Sequence, residues 1–386
     1  MICLKLLADF RLTALLAASL AFGAPVMAQQ PTAPAERARA LGTMLDEAMA
    51  ENPGIPAMAV VVIRDGSVSE QVIRGVREAG APDPALADDR WHIGSDAKAM
   101  TATMIARLVD RGVLSWSTPL KVMLPDTAMR REFEDVTLAD LLSHRAGLRD
   151  LDDTADAALL EAAFADSRPL PQQRLAFAAT ALIEAPVGPV RGESVYSNSG
   201  YVLAAAIAER ATGKAFEQLM QDEVFGPLGM SVAYAPSGRG QILGHLEGRP
   251  LTGLRADNPP LIAPAGAVRL SMADWARFAI DQMAGEKGRG VLLPEAAYVA
   301  LHTAQGDTSA ALGWGVRNSW PAESPVRLLM HAGSNGHWNA LIALSPDQES
   351  GVLIVANTAG AEVEALQTAI LMSLMSELVR SSPATP

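Results

Sequence analysis

The chain has 386 residues, is 49% hydrophobic and 19% charged, and carries a net charge of −12. Its length and apolar content support a large buried core. The acidic balance, with no lysine- or arginine-rich stripe, excludes the basic surface that phosphate neutralisation needs, so no nucleic-acid partner is expected.

Residues 1–28 read as a secretory signal, with Lys5 and Arg11 in the early part and Asp9 between them as an atypical acid. An apolar run from Leu12 to Phe22 follows, and Val26-Met27-Ala28 supplies small residues at or near a cleavage point before Gln29-Gln30. The run is too short to span a bilayer comfortably, so cleavage is preferred to anchoring. No later segment is apolar for long enough to span, and a periplasmic or secreted protein with no stable membrane span is expected. The single cysteine, Cys3, lies inside the signal. A mature chain without thiols has neither disulfides nor a cysteine nucleophile.

In the mature chain, helical spacing over Ala38–Met49 is followed by the valine-rich run Met58–Ile63, the turn signal Asp65-Gly66, and a return strand through Val72-Ile73. From about 95 to 260 the pattern is mostly helical. Val136–Leu148 reads as a short helix with a glycine stop; Leu175–Leu182, Tyr201–Ala211 and Phe216–Phe225 are further helices. Ser271–Met283 is one more. Strand-like runs then recur at Val326–Met330, Trp338–Leu344 and Val352–Ala356, with Pro346-Asp347 turning between the last two, and Ala361–Val379 ends the chain as an apolar helix. The expected fold is α/β (α+β): an antiparallel sheet built from both termini and flanked by helices, with an inserted mostly helical lobe. Residues 29–386 form one catalytic domain in this reading, with a sheet lobe at about 35–94 and 265–386 and a helical lobe at about 95–264. The site is expected between the lobes.

Three stretches carry chemistry. In Gly94-Ser95-Asp96-Ala97-Lys98, a serine opens a helical pattern and a lysine sits three residues on, on the same face. Such a serine lies beside unpaired N–H groups at the positive end of a helix. A desolvated lysine can lose its proton near neutral pH and make the hydroxyl nucleophilic. A serine N-cap with an ordinary surface lysine would give the same letters. Val195-Tyr196-Ser197-Asn198-Ser199-Gly200-Tyr201 sits in a loop before a helix, where Tyr196 can project and shuttle a proton; packing as a loop aromatic is the simpler role. His331-Ala332-Gly333-Ser334-Asn335-Gly336-His337-Trp338 joins two strand runs, and its glycine lets a strand edge approach a ligand; His331 is otherwise a polar strand end. The six histidines are dispersed, so no metal site is expected, and no cofactor fingerprint is present. Absence of a Gly-x-Ser-x-Gly elbow argues against an α/β-hydrolase.

The ordered set Ser-x-x-Lys, Tyr-x-Asn, His-x-Gly resembles the serine β-lactamase and penicillin-binding-protein superfamily, on its class C side. Leu141–Leu148, Tyr196–Met230 with its Pro-Leu-Gly-Met, and Pro264-Ala265-Gly266-Ala267 carry the resemblance across nearly all the mature chain. It implies an exported serine hydrolase acting through an acyl-enzyme on Ser95, with Lys98 and Tyr196 sharing the general-base role. It further implies substrate-binding roles for Asn198, His331, Gly333 and Ser334, the amides of Ser95 and Ser334 forming the oxyanion hole. Partners would be small-molecule or peptide substrates: amides, esters or β-lactams. Two departures stand out: His331 where many members have lysine, and Ala332 where a hydroxyl residue is common. The alternative is a penicillin-binding or sensor-type protein that acylates without efficient turnover.

Overall fold

A computed structural model of the chain describes residues 33–151, 156–234, 240–253, 256–320 and 326–381; the expected leader, 1–28, lies outside them. Strands β1 (Ala57–Arg64) and β2 (Ser67–Gly75) form a hairpin. Asp65 and Gly66 join them at φ of 50° and 69°, the left-handed conformation that a tight hairpin turn matching strand twist requires. Four more strands come from the far end of the chain: β3 (Gly315–Arg317), β4 (Leu328–Ser334), β5 (Asn339–Ser345) and β6 (Ser350–Ala356). Together they make one antiparallel sheet in the order β2-β1-β6-β5-β4-β3. The two chain ends meet where β1 pairs with β6, Met58 opposite Ala356 and Ile63 opposite Gly351.

This sheet is covered on both faces. On one, Met58, Val60, Val62, Val352 and Ile354 pack beneath α1 (Pro34–Glu51) and α5 (Ala361–Ser381) through Leu41, Leu45, Leu371 and Met375. On the other, Ala59, Val61, Ile342, Leu353 and Val355 join the core of the helical layer. That layer contains α2 (Ala97–Asp110), α3 (Asn198–Thr212) and α4 (Met272–Gly285), the last packed directly on β1. Double coverage explains why β1, β5 and β6 are buried almost throughout and largely apolar, where a half-exposed antiparallel strand would alternate. Burial of each such valine, leucine, isoleucine or methionine side chain contributes about 1.5–3 kcal/mol.

Three segments depart from the sequence reading. The helix expected over Val136–Leu148 spans only Leu138–Leu142. Thr137 and Asp140 form a reciprocal capping box that starts it. The chain turns away at His144, whose φ is 60°, before Gly147 is reached. Phe216–Phe225 is an α-turn, Phe216–Met220, that widens into a π-helical turn, Gln221–Phe225. Finally, His331–Ser334 is the end of strand β4 rather than a connection; Ser334 pairs with Asn339, and 335–338 make the turn. Among the described residues no helix is long and apolar enough to cross a membrane.

Candidate active site

The short strand Trp91–His92 pairs with Arg269–Leu270 and leads into Gly94, whose φ of 52° turns the backbone sharply. Gly94–Asp96 form a 3-10 turn and α2 begins at Ala97. Ser95 therefore sits in the tight turn feeding the helix, and Lys98 in the helix proper. Both are buried, Lys98 with no exposure at all.

Lys98 Nζ lies 2.9 Å from Ser95 Oγ, 2.7 Å from Asn198 Oδ1 and 2.6 Å from the carbonyl oxygen of Ala265. An ammonium has three N–H bonds, and three acceptors surround it here. The Tyr196 hydroxyl lies 2.6 Å from Ser95 Oγ, and the Tyr196 ring stands 4.8 Å from Lys98 Nζ. The three polar atoms expected to converge do so, although Tyr196 is 101 positions from Ser95. Tyr196 precedes α3, and Asn198 is the first residue of that helix.

Four groups beyond the residues of the Ser-x-x-Lys, Tyr-x-Asn and His-x-Gly pattern complete this arrangement. His144 stacks on the Tyr196 ring at 4.4 Å, and its Nδ1 accepts the Ser197 N–H at 3.1 Å. Burial first, then the charge of Lys98, holds its pKa well below the ordinary histidine value. A neutral ring thus backs the phenol. Asp150 Oδ1 accepts the Asn198 N–H at 2.7 Å and so anchors the start of α3 beside the lysine. The Ala265 carbonyl lies in the short helix Ala263–Gly266, which Thr101 Oγ1 ties to α2 by donating 2.8 Å to Pro264 O. The fourth is Asp96, between the nucleophile and the lysine in sequence, whose Oδ1 is 3.0 Å from His331 Nδ1.

The third motif borders the serine backbone. A Cβ placed on Gly94 would lie 2.4 Å from Ser334 N; one on Gly333 would lie 2.0 Å from Ile93 O and 2.8 Å from Ser95 N. The backbones of Ser95 and Ser334 therefore run close together, and only hydrogen fits at Gly333. We expect Gly333→Ala to destabilise the fold by about 1–3 kcal/mol, because the methyl meets backbone rather than a movable side chain. Turnover should fall about tenfold or more as Ser95 shifts. Thermal melts with assays of the folded fraction check both.

Behind the turn, His92 Nδ1 accepts the Gly94 N–H at 3.0 Å. Its Nε2 lies 2.8 Å from Asp257 Oδ1, off the line of an ideal hydrogen bond. Arg269 Nε donates to Asp257 Oδ2 at 2.6 Å. All three side chains are buried. Among the described residues, no group of three or more His, Cys, Asp or Glu side chains is set to hold a metal.

A sheet closed from both chain ends, a helical layer against it, and a serine, lysine and tyrosine in mutual contact at their junction define the class: a serine hydrolase of the β-lactamase/transpeptidase-like superfamily. Residues 43–374 match the family model described as Beta-lactamase, and the chain belongs to that family. It is 27% identical over 334 residues to the unguisins hydrolase of Aspergillus campestris, covering 79% of this chain and 59% of that protein, less than two thirds of its length. It is 27% identical over 349 residues to penicillin-binding protein 4 of Amycolatopsis lactamdurans, covering 84% and 86%. The octameric penicillin-binding protein homologue from Pyrococcus abyssi shares the fold, with a TM-score of 0.71, 23% identity, and coverage of 89% of this chain and 78% of that one.

Proposed function

We propose that the chain is an exported serine hydrolase that forms an acyl-enzyme on Ser95, with amides, esters or β-lactams as the substrate range. The observation that carries this reading is the position of Ser95 Oγ between Lys98 Nζ and the Tyr196 hydroxyl, 2.9 and 2.6 Å away. Neutral lysine keeps two N–H bonds. Donated to Asn198 Oδ1 and Ala265 O, they leave the nitrogen lone pair facing Ser95. Lys98 then accepts the serine proton as Oγ attacks the carbonyl carbon. Tyr196, also in contact with Oγ, gives its proton to the leaving group and is reprotonated by the Lys98 ammonium, so that both groups are back in their starting forms in the acyl-enzyme. The carbonyl oxygen, now negative, lies between the amides of Ser95 and Ser334. Water attacks the ester in the second half-reaction and regenerates the serine. The signal-like sequence of 1–28 supports export, and 29–386 would then act as one catalytic domain.

The test is an intact-mass time course of the purified mature protein with a p-nitrophenyl ester, a D-alanyl peptide and a β-lactam. The reading expects a transient acyl mass that decays as product accumulates with at least one of them. A permanent adduct with negligible product would instead identify a protein that acylates and stalls. No adduct and no product with any of the three would remove the reading.

A further inference from the structure

Asp96 and His331 form a buried pair that the proposed mechanism leaves unused. They are 235 positions apart in sequence, and their side chains are 0% and 4% exposed. On β4, His331 lies opposite Ile342, whose side chain belongs to the core of the helical layer. Its ring is therefore on the Ser95 face of the sheet, as is Gly333 two residues on. Nδ1 has two neighbours, Asp96 Oδ1 and Ala332 O, both at 3.0 Å. A carboxylate and a carbonyl only accept, so the proton between them belongs to the ring. In the neutral ring this fixes the tautomer, with the lone pair on Nε2. Among the described residues Nε2 has no hydrogen-bond partner.

We propose that Asp96 is a positioning residue that holds His331 in its Nδ1–H form, so that Nε2 offers substrate a hydrogen-bond acceptor; the group bound beside the acylation site is then a donor such as a primary amide or hydroxyl, in preference to a carboxylate. This rests on Ser95 being the acylated residue and adds the chemistry of the adjacent subsite. Burial pushes the Asp96 carboxyl up to about 6, against the pull of His331 and Lys98, so it is ionised and accepting at neutral and alkaline pH. The other groups whose charge bears on the pair are Lys98 on α2 and His144 behind Tyr196, while Arg317 of β3 lines a small pocket with His331 at the flank of β4. Asparagine at position 96 can present either an amide N–H or an oxygen to Nδ1, which releases the tautomer.

The experiment compares two acylated depsipeptides, identical except that one leaving group ends in a carboxylate and the other in a primary carboxamide. It is run at about pH 8, where imidazole is ordinarily neutral. The natural chain should favour the carboxamide about tenfold in kcat/KM, mostly through KM. Asp96→Asn should bring the ratio to about one, and His331→Lys should invert it toward the carboxylate, since each tenfold step needs only about 1.4 kcal/mol. A ratio of two substrates on one sample is independent of how much of a variant has folded. The second readout is the 15N pattern of the His331 ring, assigned by its loss in His331→Lys: Nδ1–H in the natural chain, a mixture in Asp96→Asn. A ring protonated on Nε2 in the natural chain, or an unchanged ratio in Asp96→Asn, overturns the proposal. Failure of the Ser95 reading looks different: neither depsipeptide is hydrolysed and no adduct forms.

Discussion

Ser95→Ala and Lys98→Met will each lower kcat/KM by about four to six orders of magnitude, and the double variant will be no worse than the poorer single one. The geometry requires this non-additivity. Ser95 Oγ is 2.9 Å from the amine that would take its proton, so either change alone removes the same step. Without the hydroxyl the amine has nothing to activate; without the amine the hydroxyl keeps its proton near neutral pH. What remains is binding and the oxyanion site, which neither substitution removes. Single-turnover kinetics on both singles and the double form a mutant cycle that reads the coupling directly. Additive losses would mean that serine and lysine act in separate steps. Far-UV spectra and melts must accompany the rates, because Lys98→Met also leaves Asn198 Oδ1 and Ala265 O without their donor.

Asp257→Asn will destabilise the folded protein by about 3–5 kcal/mol, lowering the melting temperature by about 10 °C. Asp257 is buried against Arg269 and His92, and an amide would leave the Arg269 guanidinium uncompensated in the interior. Burial alone would raise the carboxyl, but the His92 ring and the guanidinium outweigh it and hold its pKa at about 2, below the ordinary 3.8. A depressed folded-state value means stability that is fully present above about 3.8 and is lost as pH falls through about 2. The difference, close to two pH units, corresponds to about 2–3 kcal/mol at neutral pH. Acid unfolding of the natural chain should therefore show a component in that window that Asp257→Asn lacks. Activity should fall with stability, since His92 carries the support on to the Gly94 amide immediately before Ser95.

Much of this was legible in the sequence because it follows from short spacings. Ser95 and Lys98 share a helical turn, Tyr196 precedes an obvious helix, and both ends of the chain supply apolar strand runs. The supporting groups were not legible for physical reasons of three kinds. Some act through backbone: the Ala265 carbonyl has no residue signature, and any side chain there would offer the same oxygen. Others act across long separations, as with Asp96 and His331 or Asp150 and Asn198, where no periodicity connects the partners. His144 depends on a positive φ, uncommon for any non-glycine residue, while Gly147 is the ordinary helix stop that the sequence offers. The stretch from His331 to Trp338 reads as a connection between two strand runs, yet its first four residues end β4; Gly333 lies inside the strand, where the backbone must pass against Ile93 and Ser95 with no side chain between.

The central claim, that Ser95 is the residue acylated, is tested most directly by quenching the protein in acid during turnover of a slow ester and mapping the acyl mass by peptide sequencing. The account predicts a single modified peptide with the acyl group on Ser95, present in the natural chain at early times, lost as substrate is exhausted, and missing from Ser95→Ala. An acyl group on another residue, or turnover by Ser95→Ala at the rate of the natural chain, would contradict it.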